Sequence, residues 1–345
     1  MIIMAKTSAP AKVILFGEHA IVYPNHIGLA GSIDRRSYVS ASLNNKDYVR
    51  IETDISEKPP IVKENEISKL LSKYNTLREN KAYDELKKIK KEDEISPIKI
   101  ILGKIFEEYE FRGMDIDVKS EIPSGSHLGS GSSVFSATAS SILSELGNEI
   151  NREKVSRLAY DADVLAHGGT PSGIDNTTVT FGGMIKYEKL EDRGKFEILK
   201  IDKDIPIVVS NTGKSSNTGE MVSRVRNRLQ EEPKTMSIMD EISEISVLGE
   251  SALQKGDIKY AGKMMNNNQR ILSEFGLSTE EIDSIIKIAS DFGAYGSKLT
   301  GAGGGGCVIS LSDTPYELAT EIKKHGYDSF VTKLGCDGAS IEREY

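Results

Sequence analysis

A glycine- and serine-rich segment, Pro123–Ser133, has the residue types of a site that binds phosphate. It reads PSGSHLGSGSS and joins a predicted strand to a helix that begins near Ser130. Small side chains let backbone N–H groups approach an anion, and a helix N-terminus adds unpaired donors and a positive dipole end. The hydroxyls of Ser130, Ser132 and Ser133 could also ligate a phosphate-bound Mg²⁺. A flexible surface turn is the alternative, but the position between strand and helix favours a phosphate-binding loop.

A second glycine cluster, Gly301–Gly306, reads GAGGGG and leads directly into the apolar segment Cys307–Leu311. Consecutive glycines are costly in chain entropy. A tight turn, the alternative interpretation, needs only one or two of them. The cluster therefore indicates a loop that another backbone or a ligand approaches closely.

Two charged residues have the setting of catalytic groups. The segment Gly168–Asp175, GGTPSGID, places a carboxylate on a rigid turn between a predicted helix and a predicted strand. There Asp175 could act as a general base or a charge partner, although most loop aspartates only form turns. Lys12 lies in an apolar predicted strand, and a buried lysine needs a carboxylate partner. The alternative for Lys12 is a strand-edge position from which its ammonium reaches water.

Hydrophobic patterning predicts the elements that position these segments. Strands are predicted near Val13 and Leu15 and over Ser37–Leu43, Met114–Val118, Ile198–Ile201, Ile205–Ser210, Cys307–Leu311 and Phe330–Leu334. Helices are predicted over Pro97–Glu110, Ser130–Leu146, a segment capped by Asn151, Met221–Leu229, Met236–Gln254, two segments before Gly301, and Tyr316–Lys324. This order predicts an α+β protein with domains at residues 1–190 and 191–345.

Residues 57–94 are crowded with lysine and glutamate and differ in composition from their surroundings. Four apolar residues nevertheless follow helical spacing, which predicts one buried stripe: Ile67, Leu70, Leu71 and Tyr74. The basic run Lys87–Lys91 could suggest a polyanion site, but three acids follow it at once, which favours a solvated face. We interpret the segment as a charged, solvated helical insertion.

Composition excludes several classes of function. A net charge of −8 and a pI near 5.4 argue against a nucleic-acid or anionic-membrane partner. No apolar run approaches the roughly 18 residues of a membrane helix, and Met1–Lys12 lacks a signal-peptide pattern, so we expect a cytoplasmic protein. The cysteines, Cys307 and Cys336, are too few for a disulfide framework. Thr212–Ser215 matches the end of a Walker A loop, but Val208 occupies the position of its first glycine, so a P-loop NTPase is not predicted.

Four segments together resemble the GHMP small-molecule kinases. PAKVILFGEHAIVY at Pro10–Tyr23 is similar to a motif that opens family members acting on mevalonate. Pro123–Ser133 is similar to the GLGSS phosphate loop, and SKLTGAGGGGCVISL at Ser297–Leu311 to the third family motif. HGGTPSGIDN at His167–Asn176 is similar to the acid-bearing turn. The order and spacing match over nearly the whole chain, with only residues 57–94 outside.

The resemblance implies a fold and a set of ligands. The expected fold has an N-terminal domain with a left-handed βαβ crossover and a C-terminal ferredoxin-like domain, with ATP and Mg²⁺ bound between them. The expected acceptor is mevalonate, phosphorylated on its primary 5-hydroxyl in isoprenoid precursor synthesis. Many family members are homodimers, which we therefore expect as a possibility for this chain.

The resemblance also implies residue roles. Asp175 matches the catalytic aspartate that takes the acceptor's proton, and Lys12 matches the lysine beside it. Glu18 and His19 match residues near the acceptor, although a structural histidine is the alternative for His19. The nucleotide-binding loop corresponds to Gly125, Ser126, His127, Leu128, Gly129, Ser130, Gly131, Ser132 and Ser133.

Two departures from the family pattern affect these expectations. Gly131 stands where the family has a metal-binding serine, so that role must move to Ser130 or Ser132, with Asp163 as the nearest matching acid. His127 replaces a glycine and is expected to add a potential cation beside the phosphates. Two alternatives stay open: an acceptor that already carries phosphate, which would explain His127, and a nucleotide-binding regulator without catalysis. Retention of Lys12 and Asp175 argues against the second alternative.

Overall fold

The computed structural model describes residues 5–54, 58–169, 171–190, 194–232 and 236–342. Parts of some sequence predictions lie outside these ranges. They are the chain start before residue 5, the beginning of the charged insertion at Glu57, Thr170 in the acid-bearing turn, and position 191, where the second domain was expected to begin.

Within the described ranges, twelve strands form two sheets. Their bounds are β1 (Ala5–Phe16), β2 (Ile27–Leu43), β3 (Tyr48–Thr53), β4 (Ile61–Lys63), β5 (Met114–Ser120), β6 (Met184–Lys189), β7 (Gly194–Leu199), β8 (Pro206–Asn211), β9 (Gly296–Leu299), β10 (Cys307–Leu311), β11 (Asp328–Lys333) and β12 (Ser340–Ile341). Each predicted strand segment overlaps an observed strand, although β2 begins ten residues before the predicted Ser37, and β3, β9 and the short β4 and β12 were missed.

Eleven α-helices occur in the described part of the chain. They are α1 (Glu64–Glu79), α2 (Tyr83–Glu92), α3 (Ser96–Phe106), α4 (Ser130–Glu145), α5 (Arg152–His167), α6 (Ile174–Phe181), α7 (Thr218–Glu231), α8 (Met236–Gln254), α9 (Ile258–Glu274), α10 (Glu280–Asp291) and α11 (Pro315–Lys324). Asn151 caps α5 as predicted, because its side chain accepts a hydrogen bond of 3.0 Å from the backbone N–H of Lys154. No helix in the described ranges is long and apolar enough to span a membrane.

The first sheet has eight strands in the order β12-β1-β2-β5-β3-β4, with β6 and β7 attached to the other end of β2. Strand β2 is long enough to pair with β6 through Ile27–Gly31 and with β5 through Ser37–Leu43. Strands β3 and β5 are parallel, and the chain between them contains β4 and helices α1, α2 and α3. This segment is the crossover connection that two parallel strands require.

The second sheet is antiparallel, with the order β11-β8-β10-β9. Helices α7 to α10 separate β8 from β9, and α11 separates β10 from β11. This gives a β-α-β-β-α-β sequence of elements, the ferredoxin-like arrangement. Because β7 still pairs with β6, the change from the first sheet to the second falls between Leu199 and Pro206. The C-terminal strand β12 then returns to pair with β1.

The two sheets share a hydrophobic core. The largest cluster of buried residues joins β8, β10 and helices α7 to α11 to the apolar face of β1, including Val13, Leu15 and Phe16. A side chain at Gly249 of α8 would lie 2.4 Å from the Phe16 ring, so this glycine allows α8 to approach β1 closely. The strand that carries Lys12 is thus held between the two halves of the chain.

The charged insertion is helical, as predicted, but it also packs against the fold. Ile67, Leu71 and Tyr74 are buried along the predicted stripe, and the Tyr74 hydroxyl donates a 3.1 Å hydrogen bond to the Asp161 carbonyl oxygen on α5. Residues of α2 pack on the same face of α5. The interpretation of the segment as solvated was therefore incomplete, since its apolar stripe packs against apolar residues of α3 and α5.

Candidate active site

The three segments singled out from the sequence meet in a cavity of about 520 Å³. Its walls come from β1 and the loop after it, the glycine-serine loop before α4, the turn between α5 and α6, the segment from Ser216 into α7, and the start of the Gly301–Gly306 cluster. The first three of these segments belong to the first half of the chain and the last two to the second half. The cavity therefore lies between the two halves of the fold.

Lys12 and Asp175 form an ion pair in this cavity. The Lys12 Nζ atom lies 3.1 Å from Asp175 Oδ1, and only 3% of the Lys12 side chain is exposed, against 33% of Asp175. The Lys12 stem runs beneath Gly129, where an added Cβ would lie 2.9 Å from its Cγ atom. A buried ammonium is thus paired with a carboxylate that is still open to a small molecule.

Asp175 is held in the first turn of α6, where a helix dipole favours negative charge. Gly173 begins this helix with φ near 94°, a left-handed conformation that favours glycine. Asn176 anchors the turn by donating from Nδ2 to the Ser156 carbonyl at 3.0 Å and its hydroxyl at 2.9 Å. The prediction of a strand after this turn was wrong, because packing against α4 and α5 stabilises a helix despite its β-branched residues.

The loop before α4 curls through three left-handed residues, Gly125, His127 and Gly129, with φ between 61° and 74°. Gly129 caps α4, so the free N–H groups of its first turn face the cavity beside Lys12. Of the nine loop residues predicted to bind nucleotide, two do not line the cavity. Leu128 is buried in the core, and the Ser133 hydroxyl donates to the Ala9 carbonyl at 2.7 Å.

Ser132 and Asp163 lie together at the base of this loop. The Ser132 hydroxyl donates a 2.7 Å hydrogen bond to Asp163 Oδ2. Burial raises the pKa of Asp163 to about 8, partly offset by this bond. Its other oxygen, Oδ1, is buried without a hydrogen-bond partner, and His167 Nε2 lies 3.8 Å away. The Ser130 hydroxyl instead points to the Ile122 carbonyl at 3.5 Å.

The Ser132 and Asp163 pair fits a magnesium ion. No cluster of three or more histidine, cysteine, aspartate or glutamate side chains suited to a metal occurs among the described residues. Mg²⁺ commonly binds through one or two carboxylates plus substrate phosphates and water, so it does not need such a cluster. The unpartnered Asp163 Oδ1 is a buried acceptor of the kind that a cation would satisfy.

Glu18 and His19 follow β1 and also line the cavity. Glu18 is buried and forms an ion pair with Lys298 of β9. Burial raises the pKa of Glu18, and the Lys298 ammonium opposes that rise. The His19 Nε2 atom lies 3.0 Å from the Ala302 carbonyl oxygen, and burial lowers the pKa of His19 to about 4. His19 is therefore neutral, and its Nδ1 atom has no hydrogen-bond partner.

The expectation that His127 supplies a cation was wrong. Burial, together with the nearby Lys12 charge, lowers the pKa of His127 to about 4. The half-buried His127 side chain packs against the Gly301–Gly306 cluster, where a Cβ at Gly301 would lie 2.7 Å from His127 Cβ and a Cβ at Gly306 would lie 2.7 Å from His127 Nδ1. The close approach predicted for this cluster is therefore made in part by a side chain of the other glycine-rich loop.

Several residues in the cavity wall or directly behind it were not predicted as site residues from the sequence. The sequence signal for Lys298 is a lysine in an apolar segment just before a glycine cluster. Its ion pair with Glu18 is known only from the structure. Ser216 directly follows the Walker-like residues Thr212–Ser215, and Arg226 belongs to α7; both line the cavity. The charged insertion contributes residues at the connection between α1 and α2 and the start of α2: Lys81, Tyr83, Asp84 and Lys87. The basic run Lys87–Lys91 was predicted to be a solvated face. One of its residues, Lys87, instead packs over Gly168 at the cavity.

Comparison with known proteins defines the class to which this fold and site belong. The GHMP kinases N terminal domain family matches residues 96–183, and the GHMP kinases C terminal family matches residues 250–328. The chain belongs to the GHMP kinase family.

Individual relatives narrow the comparison. Mevalonate kinase of Pyrococcus horikoshii is 34% identical over 97% of this chain and 97% of its own length. Mevalonate kinase of Thermococcus sibiricus is also 34% identical, with the same coverage. The crystal structure of Methanococcus jannaschii mevalonate kinase matches with a TM-score of 0.78 and 24% identity, covering 96% of this chain and 98% of that one. This last similarity is one of fold, and it agrees with the two-domain GHMP kinase fold expected from the sequence.

Proposed function

We propose that this protein is an ATP-dependent mevalonate kinase, which transfers the γ-phosphoryl group of ATP to the primary 5-hydroxyl of mevalonate in isoprenoid biosynthesis. The observation that carries the proposal is the ion pair of Lys12 and Asp175, 3.1 Å apart beside the N-terminus of α4. The names of the relatives supply the acceptor.

The chemistry follows from the positions of these groups. Asp175 accepts the proton of the acceptor hydroxyl, because its carboxylate is partly exposed to the cavity and fixed at a helix start. The Lys12 ammonium stabilises the negative charge that develops on the attacking oxygen. The N–H groups of the first turn of α4 bind phosphate oxygens, so catalysis depends mainly on position and charge neutralisation.

We propose that Mg²⁺ is held by Ser132 and Asp163, which are joined by a 2.7 Å hydrogen bond. The ion would neutralise charge on the nucleotide phosphates. Asp163 Oδ1 supports this assignment because it is a buried acceptor without a partner. Gly131 lacks a side chain at the usual family position, and Ser130 points toward the Ile122 carbonyl instead.

Neutral His19 is proposed to help position the acceptor. Its Nδ1 atom is free to accept a hydrogen bond, whereas its Nε2 atom contacts Ala302. Glu18 supports this loop through Lys298. We also propose that the protein acts in the cytoplasm and forms a homodimer, and sedimentation tests the oligomeric state.

A coupled ADP-release assay tests the proposed function. Purified protein with Mg²⁺-ATP is given mevalonate, mevalonate 3-phosphate, mevalonate 5-phosphate, homoserine or galactose. We expect strong turnover with mevalonate alone. Turnover confined to a phosphorylated mevalonate would replace the proposed acceptor, and absence of acceptor-dependent ADP release would support the alternative of a nucleotide-binding regulator.

A further inference from the structure

His127 lies where the two glycine-rich loops of the cavity meet. It has φ near 61° in the loop before α4, and its ring occupies the space over the Gly301–Gly306 cluster. A Cβ at Gly301 would lie 2.7 Å from His127 Cβ, and a Cβ at Gly306 would lie 2.7 Å from His127 Nδ1. The absence of side chains at these two glycines therefore makes room for the imidazole.

A chain of two hydrogen bonds extends from the imidazole into the second half of the protein. Ser216 Oγ lies 3.0 Å from His127 Nε2 and donates to the Gly303 carbonyl oxygen at 2.5 Å. A hydroxyl has one hydrogen, so Ser216 must accept from His127 if it donates to Gly303. This assigns the Nε2–H tautomer to His127 and leaves Nδ1 as an acceptor.

The bonded atoms belong to three separate segments. His127 is in the loop that presents the N–H groups of α4, Gly303 is in the third family motif, and Ser216 immediately precedes α7. The first segment belongs to the first half of the chain, and the other two belong to the second half. Their separation determines how closely a bound polyphosphate can be surrounded, because backbone N–H donors act only within hydrogen-bond distance.

We propose that His127 is a positioning residue that ties the phosphate-binding loop to the Gly301–Gly306 cluster through Ser216 and thereby sets the affinity for nucleotide. The inference rests on the proposed kinase function, since it assigns the cavity to a nucleotide. It replaces the sequence-based expectation of a cation with a neutral hydrogen-bonding link. Lys12 then remains the cationic side chain that is paired with Asp175.

Two substitutions separate the link from the backbone requirement. Gln in His127→Gln carries its amide nitrogen the same number of bonds from Cα as Nε2 of histidine, so it can still donate to Ser216. Asn in His127→Asn is one bond shorter but tolerates the left-handed backbone better than Gln does. A role confined to backbone conformation therefore favours Asn, whereas the proposed link favours Gln.

The test measures the affinity of the full chain for Mg²⁺ with a non-hydrolysable ATP analogue, without acceptor. Loss of one hydrogen bond in His127→Asn should weaken binding by up to about tenfold, and His127→Gln should remain within about threefold of the wild type. Ser216→Ala should match His127→Asn. The double variant of His127→Asn and Ser216→Ala should lose little more than either single variant, because both remove the same bond.

Thermal unfolding of each variant serves as the control for folding. The inference would be overturned if His127→Asn bound the analogue as tightly as the wild type, or more tightly than His127→Gln. Additive losses of affinity in the double variant, or a wild-type protein that binds no analogue, would also overturn it. Turnover with mevalonate is measured separately. A protein that binds nucleotide in the expected ranking but does not phosphorylate mevalonate would refute the proposed acceptor and leave the role of His127 standing.

Discussion

The Lys12 ammonium and the Asp175 carboxylate lie 3.1 Å apart, although one side chain comes from the first strand and the other from the start of α6. The Lys12 side chain packs against Gly129. The Lys12 backbone N–H donates a hydrogen bond to the Leu128 carbonyl at 2.9 Å. Asp175 is fixed by its helix start. The pair therefore joins the phosphate-binding loop to the acid-bearing turn with little freedom in either member.

Replacing the carboxylate should stop turnover and spare nucleotide binding. In Asp175→Asn the proton acceptor is lost, while the N–H groups of α4 are untouched, so kcat should fall by at least about a hundredfold. Affinity for an ATP analogue should change by less than about threefold, because Asp175 is assigned to the acceptor and not to the nucleotide. Steady-state kinetics and direct binding check the two halves of this prediction. An equal loss of nucleotide affinity would refute the assignment of Asp175 to proton transfer.

The first turn of α4 allows a matched comparison of hydroxyl groups. Ser132→Ala leaves the buried Asp163 carboxyl without its partner, which should cost about 1–3 kcal/mol of stability and raise the Mg²⁺ concentration needed for activity. Gly131→Ser should be tolerated, because an added Cβ meets the Phe135 ring no closer than 3.5 Å. A serine should stabilise the helix by about 0.5 kcal/mol relative to glycine.

Magnesium titrations of activity and urea unfolding measure both effects. Should Ser130→Ala, which removes a hydroxyl that points to the Ile122 carbonyl, impair Mg²⁺ dependence more than Ser132→Ala does, the proposed metal ligand would be wrong.

The buried pair of Glu18 and Lys298 predicts a strong asymmetry between single and double variants. Lys298→Met leaves the Glu18 carboxylate buried without its partner, and the loss should be about 3–5 kcal/mol. The double variant of Glu18→Gln and Lys298→Met removes both charges and should recover much of that stability. Urea unfolding at pH 7 measures the difference. If the double variant is as unstable as the sum of the singles, the two groups do not act as an ion pair.

Acid should destabilise the protein in part through two histidines, the buried His19 and the half-buried His127. The folded state lowers the pKa of His19 and of His127 from 6.5 to about 4, so each is neutral when folded. Their contribution to stability is fully present above pH 6.5 and is lost as the pH falls from 6.5 toward 4, because the unfolded chain then binds more protons. Each contributes up to roughly 3 kcal/mol over this range.

Unfolding midpoints between pH 7 and pH 4 test this prediction with His19→Gln as the comparison. Glutamine does not titrate, so the variant should lose less stability on acidification than the wild type. Lys298 and His127, which also act on His19, are present in both proteins. Parallel curves for the two proteins would show that His19 does not contribute.

Local patterns were sufficient for much of the secondary structure. The periodicity of Met236–Gln254 predicted α8, and the apolar run Cys307–Leu311 predicted β10. In both segments the local hydrophobic pattern is enough to indicate the type of element. Helix α6 was missed because its run of threonine and valine favours a strand locally. Its burial between α4, α5 and the first sheet overrides that preference.

The sequence by itself determined the α+β class, the GHMP kinase family and the segments that carry chemistry, since a glycine loop at a helix start or an acid on a rigid turn is a local feature. The family resemblance already implied that Lys12 lies beside Asp175, and tertiary structure decided the other contacts: Ser132 rather than Ser130 beside Asp163, and Lys298 beneath Glu18. It also decided that His127 is neutral. The physical reason is that ion pairing, hydrogen bonding and desolvation depend on contacts between distant parts of the chain, which spacing along the sequence does not contain.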